Sequence, residues 1–215
     1  MISNISKKQL VVLITISYLI ISFTFVSPAF ASVSIKGKVT IVQPLFCGNS
    51  IHEYQHVIFG TKGNDVLMGT NGNDLIIGNG GDDIIYGLKG NDCIISGDGI
   101  KSPYGNGHDI IYGGSGNDFI FGGDGDDVIY GGIGNDVIYG GPGNDFISGD
   151  EGNDIIFGGL GNDTISDYFG NNSLIGEQGN DLITSGSGND MVNGGPGIDN
   201  CNADGGKNYV INCEK

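Results

Sequence analysis

GGSGNDFIF, GGDGDDVIY, GGIGNDVIY and GGPGNDFIS, residues 113 to 148 written in rows of nine, hold one frame four times without a slip. Gly stands fourth in each row, Asp sixth and Ile eighth. The same frame extends from Gly60 to Ile211 in sixteen rows, interrupted once by the eight residues SGDGIKSP at 96–103. Position four is Gly in every row, from Gly63 to Gly206, and position eight is apolar in every row if Cys201 is counted. Position six is Asp in fourteen rows, with Asn172 and Asn208 the exceptions.

Period and residue type together dictate an all-β solenoid. Glycine at fixed places permits the positive φ of a tight turn and the close stacking of successive turns. In the short strand that follows, alternation sends the eighth residue to one side and the seventh and ninth to the other. The eighth residues are therefore expected to form the core, with the seventh and ninth facing outward. Two rows make a coil of 18 residues, so that side chains 18 apart stack at the strand spacing of about 4.8 Å. The sixth-position aspartates then form two ladders.

The nonapeptide GGxGxDxUx resembles the RTX, or hemolysin-type, calcium-binding repeat. The resemblance covers residues 60–211, about seventy per cent of the chain. It implies a right-handed parallel β-roll in which six residues make a calcium-binding turn and three make a strand. The implied calcium ligands are Asp65, Asp74, Asp83, Asp92, Asp109, Asp118, Asp127, Asp136, Asp145, Asp154, Asp163, Asp181, Asp190 and Asp199, together with turn carbonyls. Departures from the family pattern are the interruption, the row DYFGNNSLI at 167–175, and the lack of the large N-terminal domain that catalytic or toxic members carry. Stand-alone members share a short Cys-bearing segment before the first repeat and a terminal Asn-Cys-Glu, here Asn212, Cys213 and Glu214.

Electrostatics favours the same cation. Two carboxylates about 5 Å apart repel by roughly 3 kcal/mol at an effective dielectric of about 20. Several such pairs would exceed the net stability of a domain, about 5 to 15 kcal/mol. Calcium accepts carboxylates and carbonyls in flexible geometry, whereas magnesium demands a strict octahedron and keeps its waters. Nine pairs 18 residues apart present themselves: 65/83, 74/92, 109/127, 118/136, 127/145, 136/154, 145/163, 163/181 and 181/199. The interruption, whether a shortened row that places Lys101 where an Asp belongs or a bulge, is expected to break the ladder holding Asp83 and Asp118, and Asn172 to weaken the other between Asp154 and Asp190. A metal-free solenoid in which Asn and Asp merely cap turns would mix the two residues. Instead position five is Asn in eleven rows and position six Asp in fourteen.

Composition narrows the function. The 215 residues include 42 Gly, no Trp, 25 acids and nine Lys, for a formal charge of −16. So acidic a chain offers no phosphate-neutralising surface for nucleic acid. Lys7 and Lys8, an apolar run from Leu10 to Val26, and Ala29-Phe30-Ala31 predict a signal peptide over 1–31. A cap segment is expected over 32–59, the repeats over 60–211 and a cysteine-bearing tail over 212–215. Four cysteines in an exported chain suit two disulfides; of three possible pairings, Cys47–Cys93 and Cys201–Cys213 is the one expected.

His52, Glu53 and His56 spell HExxH, the helical signature of zinc proteases. The frame argues otherwise, because residues 51–59 occupy the row before the first repeat with Ile58 at its inward place. The expected protein is thus no enzyme but a secreted, calcium-binding structural or surface module, with self-association or a cell-surface partner. Ice binding is disfavoured by the absence of Thr at position three, and pore formation by the absence of long apolar segments after residue 31. One outward face is expected to keep an apolar stripe, Phe119, Phe121, Val137, Tyr139, Ile155 and Phe157, longer than the opposite face, where Ser148 and Ser166 intervene.

Overall fold

The computed structural model describes residues 39–40, 53–97 and 106–214, with only the backbone at 39, 40 and 53. The expected leader, Cys47, His52 and Lys101 lie outside the described residues. Within them the chain forms strands and turns alone. These strands are β1 (Val39–Thr40), β2 (Glu53–Tyr54), β3 (His56–Phe59), β4 (Val66–Met68), β5 (Asp74–Ile77) and β6 (Ile84–Lys89). Then follow β7 (Cys93–Ile95), β8 (Ile110–Ser115), β9 (Phe119–Phe121), β10 (Val128–Ile133), β11 (Val137–Pro142) and β12 (Phe146–Glu151). The remainder are β13 (Ile155–Leu160), β14 (Thr164–Phe169), β15 (Ser173–Gln178), β16 (Leu182–Ser187), β17 (Met191–Asn193), β18 (Asn200–Ala203) and β19 (Tyr209–Ile211).

Even-numbered strands from β4 to β18 build one parallel sheet and odd-numbered strands from β3 to β19 the other. The chain alternates between them and advances one strand position per coil. This is a parallel β-solenoid of about eight coils. The register is 18 throughout the regular part, as in Val128↔Phe146 and Val137↔Ile155. Strands exceed the three residues expected, because pairing continues through positions one to three of the next row, as with Gly132↔Asp150.

One line of eighth-position side chains fills the space between the sheets. Ile58, Leu67, Ile76 and the series from Ile85 to Val192 are at most 4% exposed, with Cys201 and Cys213 packed against the end of the line. Side chains on parallel strands one coil apart stack in van der Waals contact, so each isoleucine is buried by its predecessor and its successor. Val210, on the last described strand of its sheet, is 43% exposed.

Two expectations need correction. Seventh and ninth residues do not all face solvent: in the first coils of the odd sheet Leu75, Ile77, Cys93 and Ile95 are buried with Tyr54 and Val57 in a second apolar cluster. The interruption does not break the stack either. Strand β6 pairs with β8 and β7 with β9, matching Ile85 to Ile111 and Ile94 to Ile120. The pairing simply steps over eight extra residues, because preserving both sheets and the core line outweighs the modest closure cost of a short loop.

Candidate metal centre

At the corners of the roll the sixth-position aspartates turn their carboxylates inward. All but one of the expected ligands are at most 3% exposed, and Asp65, in the first row, is half-buried. The carboxylates are held by the backbone of the coil before. The N–H of Asp109 donates to Asp127 Oδ1 at 2.8 Å, that of Asp127 to Asp145 at 2.9 Å, and that of Asp145 to Asp163 at 2.8 Å. On the other edge Asp118 donates to Asp136 at 2.8 Å and Asp136 to Asp154 at 2.7 Å. One oxygen of each carboxylate is thereby fixed. The other is not: Oδ2 of Asp83, Asp92, Asp118, Asp127, Asp136, Asp145, Asp154, Asp163, Asp181, Asp190 and Asp199 is buried without a hydrogen-bond partner.

The ladders also cross the interruption. Asp83 donates to Asp109 Oδ1 at 2.6 Å and Asp92 to Asp118 Oδ1 at 2.8 Å, each over 26 residues. Pairs 83/109 and 92/118 thus join the nine read from the sequence. Asn172 keeps the geometry while dropping the charge: Asp154 donates to its Oδ1, and it donates to Asp190, both at 2.9 Å.

Buried acids without counter-charge resist ionisation. Loss of hydration, reinforced by neighbouring carboxylates and partly opposed by the N–H bond, pushes Asp92, Asp127 and Asp136 up to about 8, and Asp83, Asp145 and Asp163 to about 7. Asp118 rises to about 6 through burial, and Asp109 and Asp181 are raised by the same cause.

The unpartnered oxygens fit a hard cation. The point where a Cβ would sit on Gly122 is 2.6 Å from Asp127 Oδ2 and 2.7 Å from the carbonyl oxygen of Gly140 in the next coil. At Gly131 the corresponding distances to Asp136 Oδ2 and Gly149 O are 2.6 and 2.8 Å. Each cradle therefore brings a carboxylate oxygen and a carbonyl oxygen together where glycine leaves room, which is calcium's preferred donor set. Among the described residues no group of three or more His, Cys, Asp and Glu side chains converges as a metal centre. Backbone carbonyls must complete any coordination here.

A profile of the RTX calcium-binding nonapeptide repeat matches residues 58–99, 104–138, 130–165 and 168–201, well over half of the chain. The chain belongs to the RTX calcium-binding repeat family. No curated protein matches it. This RTX chain is a calcium-binding repeat protein, and calcium is its expected ligand.

The ends of the RTX ladders hold residues that sequence reasoning assigned otherwise or missed. Glu53 and His56 lie on strands β2 and β3, not on a helix, and His56 Nδ1 bonds Asp74 Oδ1 at 2.8 Å. The HExxH residue thus closes the first coil of one ladder. Thr61 donates its Oγ to Asp65 Oδ2 at 2.8 Å, and Thr70 its backbone N–H to Asp74 Oδ2. Both leading aspartates are hydrogen-bonded where their followers are not. At the far end Asp199 donates to Glu214 Oε2 at 2.8 Å, so Glu214 continues the ladder after the frame has stopped. Cys201 and Cys213 form the expected disulfide; Cys93 is also disulfide-bonded, and its expected partner Cys47 lies outside the described residues.

Proposed function

We propose that this protein is a secreted, non-catalytic RTX module that folds on binding several calcium ions and then serves as an extracellular structural or surface-interacting element. The observation that carries it is the column of buried Oδ2 atoms without partners. A neutral-pH chain cannot keep so many desolvated carboxylates ionised unless a cation replaces the lost hydration. Extracellular calcium meets that need: modules of this kind bind in the range of about 10⁻⁴ to 10⁻³ M, so that the roll orders after export. Because the binding free energy is spent on folding, binding and folding are coupled. Calcium titration of the full chain, followed by circular dichroism, tests this. A largely unfolded chain in chelator gains β-structure cooperatively at sub-millimolar to millimolar calcium. A full β signal in excess EDTA at pH 8 overturns the reading.

The stripe supports the surface role. On the odd sheet Phe121, Tyr139 and Phe157 stack with centroids 4.9 and 4.7 Å apart and planes within 8°. On the even sheet the ninth-position rings stack through Tyr86, Tyr112 and Tyr130 and stop at Ser148, with Phe146 tilted against Tyr130 at 6.0 Å. Self-association through the longer stripe is part of the proposal. Tyr139→Lys with Phe157→Lys should leave calcium-induced folding intact and lower the sedimentation coefficient at millimolar calcium; equal monomers for both chains would remove this role.

A further inference from the structure

Row 167–175 breaks the repeat twice, and the two breaks are complementary. Its sixth position carries Asn172 in place of Asp, and its first position carries Asp167 in place of Gly. In the fold these changes fall on one edge, in one coil. Asp167 follows Gly131 and Gly149 up the first-position column of the even sheet and pairs in register with Ser185 of the next coil. The charge missing from the ladder at Asn172 is thus restored beside it.

The side chain is fully enclosed, at 0% exposure, and neither Oδ1 nor Oδ2 has a hydrogen-bond donor. Its surroundings are equally unsatisfied. Asp154 Oδ2, 2.6 Å from the Cβ position of Gly149, has no donor, and Asp167 Oδ2 lies nearer still to that same point. Ser185, also 0% exposed, has a hydroxyl without a partner. Elsewhere a first-position glycine faces one carboxylate oxygen and one carbonyl oxygen, as Gly122 and Gly131 do. Gly149 faces two carboxylates. No Lys lies in this row or the two flanking it, so no side-chain cation of the local chain neutralises the pair.

We propose that Asp167 and Asp154 together hold a calcium ion in a site distinct in composition from the repeat cradles, the tightest on the roll and the first to fill. The inference rests on calcium binding by the repeats. Affinity for calcium rises with the number of charged ligands and the rigidity of the site, and this cradle has a second carboxylate on a strand held between two neighbours. Ser185 supplies a neutral oxygen of the kind calcium accepts. The competing arrangement is a proton shared between the two acids, in which case calcium would ignore Asp167.

Calorimetric calcium titration of the full chain separates the two. The wild type shows one early equivalent ahead of the main transition. In Asp167→Asn, which preserves shape and removes charge, the affinity of that first equivalent falls about tenfold or more, whereas Asp145→Asn lowers later steps and leaves the early one in place. Should Asp167→Asn fail to fold, the double change Asp167→Gly with Asn172→Asp regenerates a regular row, and it binds calcium without the early step. An Asp167→Asn isotherm that superimposes on the wild type, or a wild type with every step at one affinity, overturns this site alone. A wild type that binds no calcium overturns the calcium reading itself.

Discussion

Adjacent residues of each turn build two columns along the roll, and the columns behave in opposite ways. At position five, Asn117, Asn135, Asn153 and Asn171 are exposed, and each later N–H donates backward to the Oδ1 of the coil before at 2.7 to 2.8 Å. At position six, Asp118, Asp136 and Asp154 are buried, and the N–H groups donate forward. The amide column is complete in itself, because Asn153 and Asn171 add a donated Nδ2 bond to the acceptor one coil back. The carboxylate column has one oxygen too many per coil. The same backbone repeat thus yields a self-sufficient outer ladder and an inner one that depends on what the solvent provides.

The sharpest way to break that contrast is pH in the absence of calcium. Unfolded Asp titrates near 3.9, whereas burial holds Asp118, Asp145 and Asp127 of the inner column at about 6, 7 and 8. The folded apo chain therefore binds more protons than the unfolded one, so its stability is fully present below about pH 4 and is lost as pH rises through 6 to 8. In chelator we expect β-structure at pH 4 that melts by pH 8, followed by circular dichroism. With calcium the trend inverts, since ions and protons compete for the same oxygens. An apo signal independent of pH would mean the inner column is not what limits folding.

Gly134 immediately precedes both columns in its row. Its φ is 145°, and a Cβ there would overlap the carbonyl oxygen of Gly116 one coil back. Gly134→Ala is expected to cost about 4 kcal/mol or more even in saturating calcium, an effect of the size reserved for severe strain; calcium-dependent melting measures it. Asp136→Asn is smaller and has opposite signs in the two conditions. Its Oδ1 can still accept from Asp118, as Asn172 does from Asp154, so the apo roll should gain stability at pH 7.5 while calcium affinity drops. Asn135→Ala is the mildest: it removes the acceptor for Asn153 and should cost about 1 kcal/mol, equally with and without calcium.

The frame made the core line and the two ladders legible, because Gly at position four and an apolar eighth residue leave a single consistent stacking. What it could not reveal was how the stack treats the interruption. Eight residues are close enough to nine that a short row and a loop both satisfy the pattern, and only strand pairing, Ile84 to Ile110 and Cys93 to Phe119, separates them. The ends were opaque for a related reason. Glu214 lies outside the frame and reaches its ladder at a separation of 15 residues that carries no motif, whereas His56 stands at position six of the row before the first repeat, 18 residues from Asp74, a place in the ladder that its HExxH spelling concealed. Asp167 was visible as a defect in its row; its meaning appears once it is seen to stand beside Asp154, thirteen residues back along the chain and one coil away.

Because a coil consumes two rows, the molecule's length changes in steps. Duplicating or deleting 18 residues would move the far end by one strand spacing, about 4.8 Å, and leave every side chain on its sheet. Duplicating nine would send each later strand to the opposite sheet: Tyr139 and Phe157 would arrive in line with Tyr130, and Ser148 would fall beneath Phe121. Lengthening by whole coils therefore preserves faces, while lengthening by half a coil exchanges them. Among descendants of such a sequence, insertions in the repeat should survive as multiples of 18 or as extra residues that leave strand pairing in register, as those between Cys93 and Ile110 do, and single added rows should be rare.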